Sequence, residues 1–169
     1  MSGAIFELAK TGRSSCSATG TPIVQGNPRV GFEIWRVGRR CMTWQAPSAF
    51  LGRLVVSVAL DNRSKCKFSG KQINQGRLVV TFTTGGAKGE VPTTQLCLLS
   101  EAAPFIQNVV SETGAAFSPV QMPGYNVLSS KDKKIVMNLM AAAVGKALVK
   151  KRPAAANIAS ESLVKKRRQ

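Results

Sequence analysis

The segment at residues 13–32, RSSCSATGTPIVQGNPRVGF, returns fifty positions later as RSKCKFSGKQINQGRLVVTF at 63–82. Aligned without gaps, nine of the twenty positions are identical. They include Arg13 with Arg63, Cys16 with Cys66, Gly20 with Gly70, Gln25-Gly26 with Gln75-Gly76, and Phe32 with Phe82. Self-similarity at a fixed interval means that one supersecondary unit is built twice. Each copy reads as a polar turn after the cysteine, a Gln-Gly turn, and an extended run of β-branched and aromatic residues, VGFEIW or RLVVTF. A second cysteine follows in each copy, Cys41 and Cys97, so that one cysteine opens and one closes each module.

About four strands are expected. Phe32, Ile34 and Trp35 line the first, RLVVSVAL (53–60) forms the second, Leu78, Val80 and Phe82 alternate along the third, and VPTTQLCLL (91–99) forms the fourth. The glycine-rich TTGGAKGE (83–90) lacks the Gly-Lys-Ser/Thr ending of a phosphate loop and reads as a hairpin turn. Two helices follow. The first is opened by Ser100 and closed by Gly114, with Phe105, Ile106, Val109 and Val110 on its apolar side and Pro104 in its first turn. The second starts at a capping box, Ser129 with Asp132, and carries a stripe of Ile135, Val136, Leu139, Met140, Ala143, Val144, Ala147 and Leu148 whose methionine belongs to the core.

Lys and Arg number 24 against 8 Asp and Glu, a net charge of +16, and such an excess repels itself unless a polyanion is present. Nucleic acid is therefore the expected partner. No run of eighteen apolar residues exists, so no membrane partner is expected, and the N-terminus lacks the pattern of a secretory or transit signal, which points to an intracellular chain. Histidine is absent, which removes the commonest general base and zinc nitrogen ligand, and the few acids are scattered. An enzyme, a cofactor and a small-molecule substrate are not expected. The C-terminal stretch 146–169 holds two basic clusters, Lys150, Lys151 and Arg152, then Lys165, Lys166, Arg167 and Arg168. This spacing matches a two-part nuclear import signal and equally suits a nucleic-acid-binding arm or a solvated end.

AKTGRSSC (9–16) and DNRSKC (61–66), each followed by a polar turn, a glycine and an apolar strand, resemble the start of the poly(ADP-ribose) polymerase-type zinc finger. MPGYNVLSSKDKKIVMNLMAAAV (122–144) is similar to the closing segment of that family. The resemblance implies a module that senses nicked or broken DNA. It also implies a zinc held by Cys-x-x-Cys early and His-x-x-Cys late. Here the second early position is Thr19 or Ser69, and the late histidine falls on Gly38 or Thr94. Only Cys16 with Cys41, and Cys66 with Cys97, remain as relict metal-ligand positions, and two thiolates do not make a structural zinc site. Three readings of the cysteines stay open: small buried apolar residues, a disulfide within each pair, and one zinc shared by all four. Degenerate modules that have lost zinc, with no metal bound, are the expectation.

Under the resemblance, basic residues at the start of each module contact the phosphodiester backbone, which singles out Lys10, Arg13, Arg63 and Lys65. Arg36, Arg39, Arg40, Lys67 and Lys71 add to that surface, together with the two basic clusters of the tail. Trp44 is a candidate for stacking on exposed bases and equally a candidate core residue. The expectation is an α+β chain of two small zinc-finger-like β modules with C-terminal helices and a basic tail, divided as 1–52, 53–148 and 149–169. Its expected function is non-catalytic binding of nucleic acid by structure rather than sequence. The favoured setting is DNA in the nucleus. The alternative is an rRNA-binding structural component, held among other proteins of a large ribonucleoprotein such as a cytosolic or mitochondrial ribosome.

Overall fold

The computed structural model describes residues 4–36, 38–87 and 91–147, with side chains as far as residue 141. The basic tail and the side chain of Arg36 lie outside the described residues. The chain is mixed α+β and runs the same element order twice. The first copy is β1 (Ala4–Leu8), β2 (Pro28–Arg36), β3 (Arg39–Gln45) and α1 (Pro47–Leu51). The second is β4 (Val55–Val58), β5 (Leu78–Thr84), β6 (Thr93–Leu98) and α2 (Leu99–Thr113). A final helix, α3 (Ser130–Ala147), follows two short helical turns. Each copy folds its strands into a three-stranded antiparallel sheet, β1-β2-β3 and β4-β5-β6.

The long loop between the first two strands of each sheet is the repeated segment, and its hydrogen bonds repeat pair by pair. Cys16 N–H donates to Thr21 O and Cys66 N–H to Lys71 O, both at 2.8 Å. Ile23 N–H donates to Ser14 O at 2.8 Å, and Ile73 N–H to Ser64 O at 2.9 Å. Gly26 N–H donates to Ala9 O and Gly76 N–H to Ala59 O, both at 2.9 Å. Gly26 and Gly76 stand at φ +83° and +79°, a left-handed conformation that side-chain-bearing residues rarely hold, so the Gln-Gly turns read from the sequence are conformationally required.

Two strands escaped the sequence reading. β1 is only five residues long, and β3 opens on two arginines, so neither carries a sustained apolar alternation. Of the glycine-rich 83–90 segment, Thr83 and Thr84 end β5, where Thr84 pairs with Thr93 of β6, and residues 88–90 lie outside the described residues. α2 starts at Leu99, one residue before the expected Ser100, and no side chain caps it, because it emerges directly from β6. Pro104 consequently sits in its second turn rather than its first. Gly114, at φ +63°, closes the helix as expected and returns its N–H to Val110 O. The capping box of α3 is formed: Asp132 N–H donates to Ser129 Oγ at 3.1 Å, and that hydroxyl donates to Asp132 Oδ2 at 2.7 Å. Val136 and Met140 are buried, whereas Ile135, 38% exposed, stands at the rim.

The inner faces of the two sheets meet in a common core. Phe32 of the first module lies 4.5 Å, centroid to centroid, from Phe82 of the second. Phe50 of α1 touches both at 5.6 Å and Phe105 of α2 at 5.9 Å. Gln45 Nε2 donates across to Thr83 O at 2.8 Å. The boundary at residues 52 and 53 thus falls in the α1–β4 link, between two structural repeats that share one apolar interior. Among the described residues no helix is long and apolar enough to cross a membrane.

Candidate functional site

The cysteine turn is the feature both repeats preserve, and its geometry shows what the thiols do. Cys16 and Cys66 are fully buried, and each sulfur accepts a backbone N–H from the end of its own sheet, Ala46 at 3.4 Å and Leu98 at 3.3 Å. Ser17 N–H to Trp44 O and Lys67 N–H to Leu96 O tie the same turn to the same edge. Burial alone would push these thiols up. Thr19 at Cys16 and Ser69 at Cys66, joined by nearby backbone N–H groups, outweigh it and hold both below the usual cysteine value.

The strand registers correct the assignment of the closing cysteines. Val30 pairs with Gln45 and Val80 with Cys97; Ile34 pairs with Cys41 and Thr84 with Thr93. Cys97 is therefore the counterpart of Gln45, and Cys41 the counterpart of Thr93, so the two cysteines do not occupy equivalent positions in the repeats. The β5–β6 hairpin is longer than the β2–β3 hairpin by two residues, whereas matching Cys41 with Cys97 would require six. In the first module the residues gathered with Cys16 around one cavity of about 380 Å³ include Thr19, Ala46 and Ala49, none of them a thiol or imidazole. In the second, Cys66 does have Cys97 as a neighbour, and burial followed by the charge of Cys66 pushes the Cys97 thiol up to about 12. All four cysteines are free thiols. They do not converge on one zinc, since among the described residues no three Cys, Asp or Glu side chains could hold a metal ion.

The predicted basic residues whose side chains are described divide into two groups, while Arg36 and the tail clusters lie outside them. Lys10, Arg13, Arg39, Arg63 and Lys65 are exposed and make no side-chain hydrogen bond or ion pair to the described residues. Arg13 and Arg63 stand at the same point of the two matched turns, three residues before the buried cysteine. Lys67, Lys71 and Arg40 have intramolecular partners. Lys67 is half-buried and gives its ammonium to Glu33 O at 2.9 Å. Lys71 pairs with Glu101 at 2.8 Å, and that hydrogen bond and charge hold its ammonium above the usual lysine value. Arg40 pairs with Glu33 at 3.4 Å.

The outward face of the first sheet holds residues that the sequence reading missed. Arg29 is only 7% exposed; its guanidinium donates to Glu7 and to Ser14 Oγ and lies 3.6 Å from the centroid of Trp44. The Trp44 ring packs close to Gly31, where a Cβ would stand 2.5 Å from it, and against the small cluster around Cys16, which favours the core reading of this residue over stacking. Trp35 is 70% exposed, with Arg40 at 5.6 Å from its ring. In the repeat Arg29 aligns with Val79 and Gly31 with Thr81, so both residues belong to the first copy alone. The chain matches no protein-family model and no curated protein.

Proposed function

We propose that this chain is a non-catalytic nucleic-acid-binding protein that grips the phosphate backbone through two equivalent turns and reads nucleic-acid structure rather than sequence. The observation that carries the reading is the placement of Arg13 and Arg63. Two turns with matching hydrogen bonds present an exposed arginine at the same point, its guanidinium without a partner among the described residues, on a chain of net charge +16. A guanidinium held out in this way suits phosphate oxygens. Trp35 supplies one exposed aromatic surface for an unpaired base. The resemblance to poly(ADP-ribose) polymerase-type fingers directs the proposal to DNA in the nucleus. The modules take their rigidity from the shared aromatic core and the thiol-capped turns in place of zinc.

The test is fluorescence anisotropy of the purified full chain with nicked duplex, intact duplex and structured RNA across a salt series. Replacing Arg13 and Arg63 together with Ala weakens binding to every sequence alike and reduces the salt slope by about two, roughly 0.9 per lost phosphate contact. An unchanged slope with the fold preserved refutes the phosphate role. Tighter binding to structured RNA than to either DNA at matched salt assigns the chain to a ribonucleoprotein instead.

A further inference from the structure

The first strand of each sheet is an edge strand, and the two edges differ. Ala9 N–H donates to Asn27 O and Ala59 N–H to Arg77 O, so the odd-numbered residues of β1 and β4 turn their backbone groups toward the neighbouring strand. Antiparallel pairing alternates, which leaves the N–H groups of Val56 and Val58 in β4, and of their counterparts Phe6 and Leu8 in β1, pointing away from the sheet. In the second repeat this outward edge is covered by the chain itself: Val56 N–H donates to Pro123 O at 3.0 Å. Gly124, at φ +87°, packs so closely on Val56 O that a side chain there would strike it. In the first repeat no described residue accepts Phe6 N–H.

Nothing in Ala-Ile-Phe-Glu-Leu defends that edge. It has no proline or lysine, and its one acid, Glu7, is bound by Arg29. The cations that follow it, Lys10 and Arg13, are exposed and unpaired among the described residues. We infer that the outer edge of β1 receives an extended acidic peptide segment of a partner protein as a fourth strand. Main-chain hydrogen bonds at Phe6 and Leu8 hold the segment, as Pro123 holds Val56, and its carboxylates meet Lys10, which directly follows the strand, on a chain of net charge +16.

The experiment uses the 15N-labelled full chain and two synthetic decapeptides, one alternating Glu with Val and the other alternating Lys with Val. The acidic peptide is expected to slow amide exchange at Phe6 and Leu8 at least tenfold and to leave Val56 unchanged, while the basic peptide does neither. Leu8 is 61% exposed, and proline is tolerated on an edge where its missing N–H faces solvent, so Leu8→Pro should lower acidic-peptide affinity at least fivefold with the fold intact. If Leu8→Pro loses its native amide spectrum, Ala4→Pro provides the same test at the other end of the strand. The inference is overturned by peptide binding that leaves Phe6 and Leu8 unprotected, or by equal binding of the basic peptide. It is also overturned by affinity indifferent to the proline. Phe6 protection in the peptide-free chain, with a dimer by sedimentation, would make a second copy the occupant and overturn it as well.

Discussion

Replacing Phe82 with Ala tests whether the two repeats fold as one unit. Phe82 belongs to the second repeat, yet its ring is fully buried and lies 4.5 Å from Phe32, 5.6 Å from Phe50 and 6.4 Å from Phe68. Truncating such a phenylalanine costs about 3–5 kcal/mol, transfer and cavity together. In a chain of this size each kcal/mol lowers the melting midpoint by roughly 3 °C, so a loss of about 4 kcal/mol corresponds to a fall of about 12 °C. Both tryptophans, Trp35 and Trp44, lie in the first repeat. Tryptophan fluorescence therefore reports that repeat, while far-UV circular dichroism reports helices α2 and α3 as well. A shared core requires both probes to shift together. If the fluorescence transition of Phe82→Ala stays at the wild-type temperature while the dichroism transition falls, the repeats are independent and the account of a common interior is wrong.

The purified chain is expected to fold without zinc, because the residues gathered around Cys16 and Cys66 are hydroxyls, alkyl side chains and backbone N–H groups apart from Cys97; stoichiometric zinc with unfolding on chelation would contradict this. Gly31→Ala places a methyl against the Trp44 ring, and overpacking of this kind costs about 1–3 kcal/mol. Its emission should move to the red as the ring leaves Arg29, and an unchanged spectrum would place Trp44 elsewhere. Cys97 is held protonated up to about 12, against 9.0 when unperturbed. The folded state binds that proton more tightly across this window. Its contribution is complete below pH 9 and is lost as pH rises toward 12, at no more than about 1.4 kcal/mol per pH unit. Cys97→Val should flatten the alkaline decline in the urea midpoint relative to the wild type, and parallel declines would show that the thiol is not the cause.

What was legible in the sequence is what local backbone chemistry controls. The Gln-Gly turns follow from the left-handed conformation of Gly26 and Gly76, the end of α2 from Gly114, and the start of α3 from the reciprocal bonds of Ser129 and Asp132. Each of these is completed within a few residues, so identity and spacing suffice. The repeat was legible because both copies must bury the same positions. Which cysteine faces which neighbour was not, because that depends on strand register. A two-residue difference in hairpin length puts Gln45 where its counterpart has Cys97, and β3 itself has too little apolar alternation to be recognised. Which of Trp44 and Trp35 is covered has the same origin. The two lie on the same outward face of the first sheet, and only the cross-strand pairing of Gly31 with Trp44, with Arg29 beside it, decides that one ring is covered while the other meets solvent.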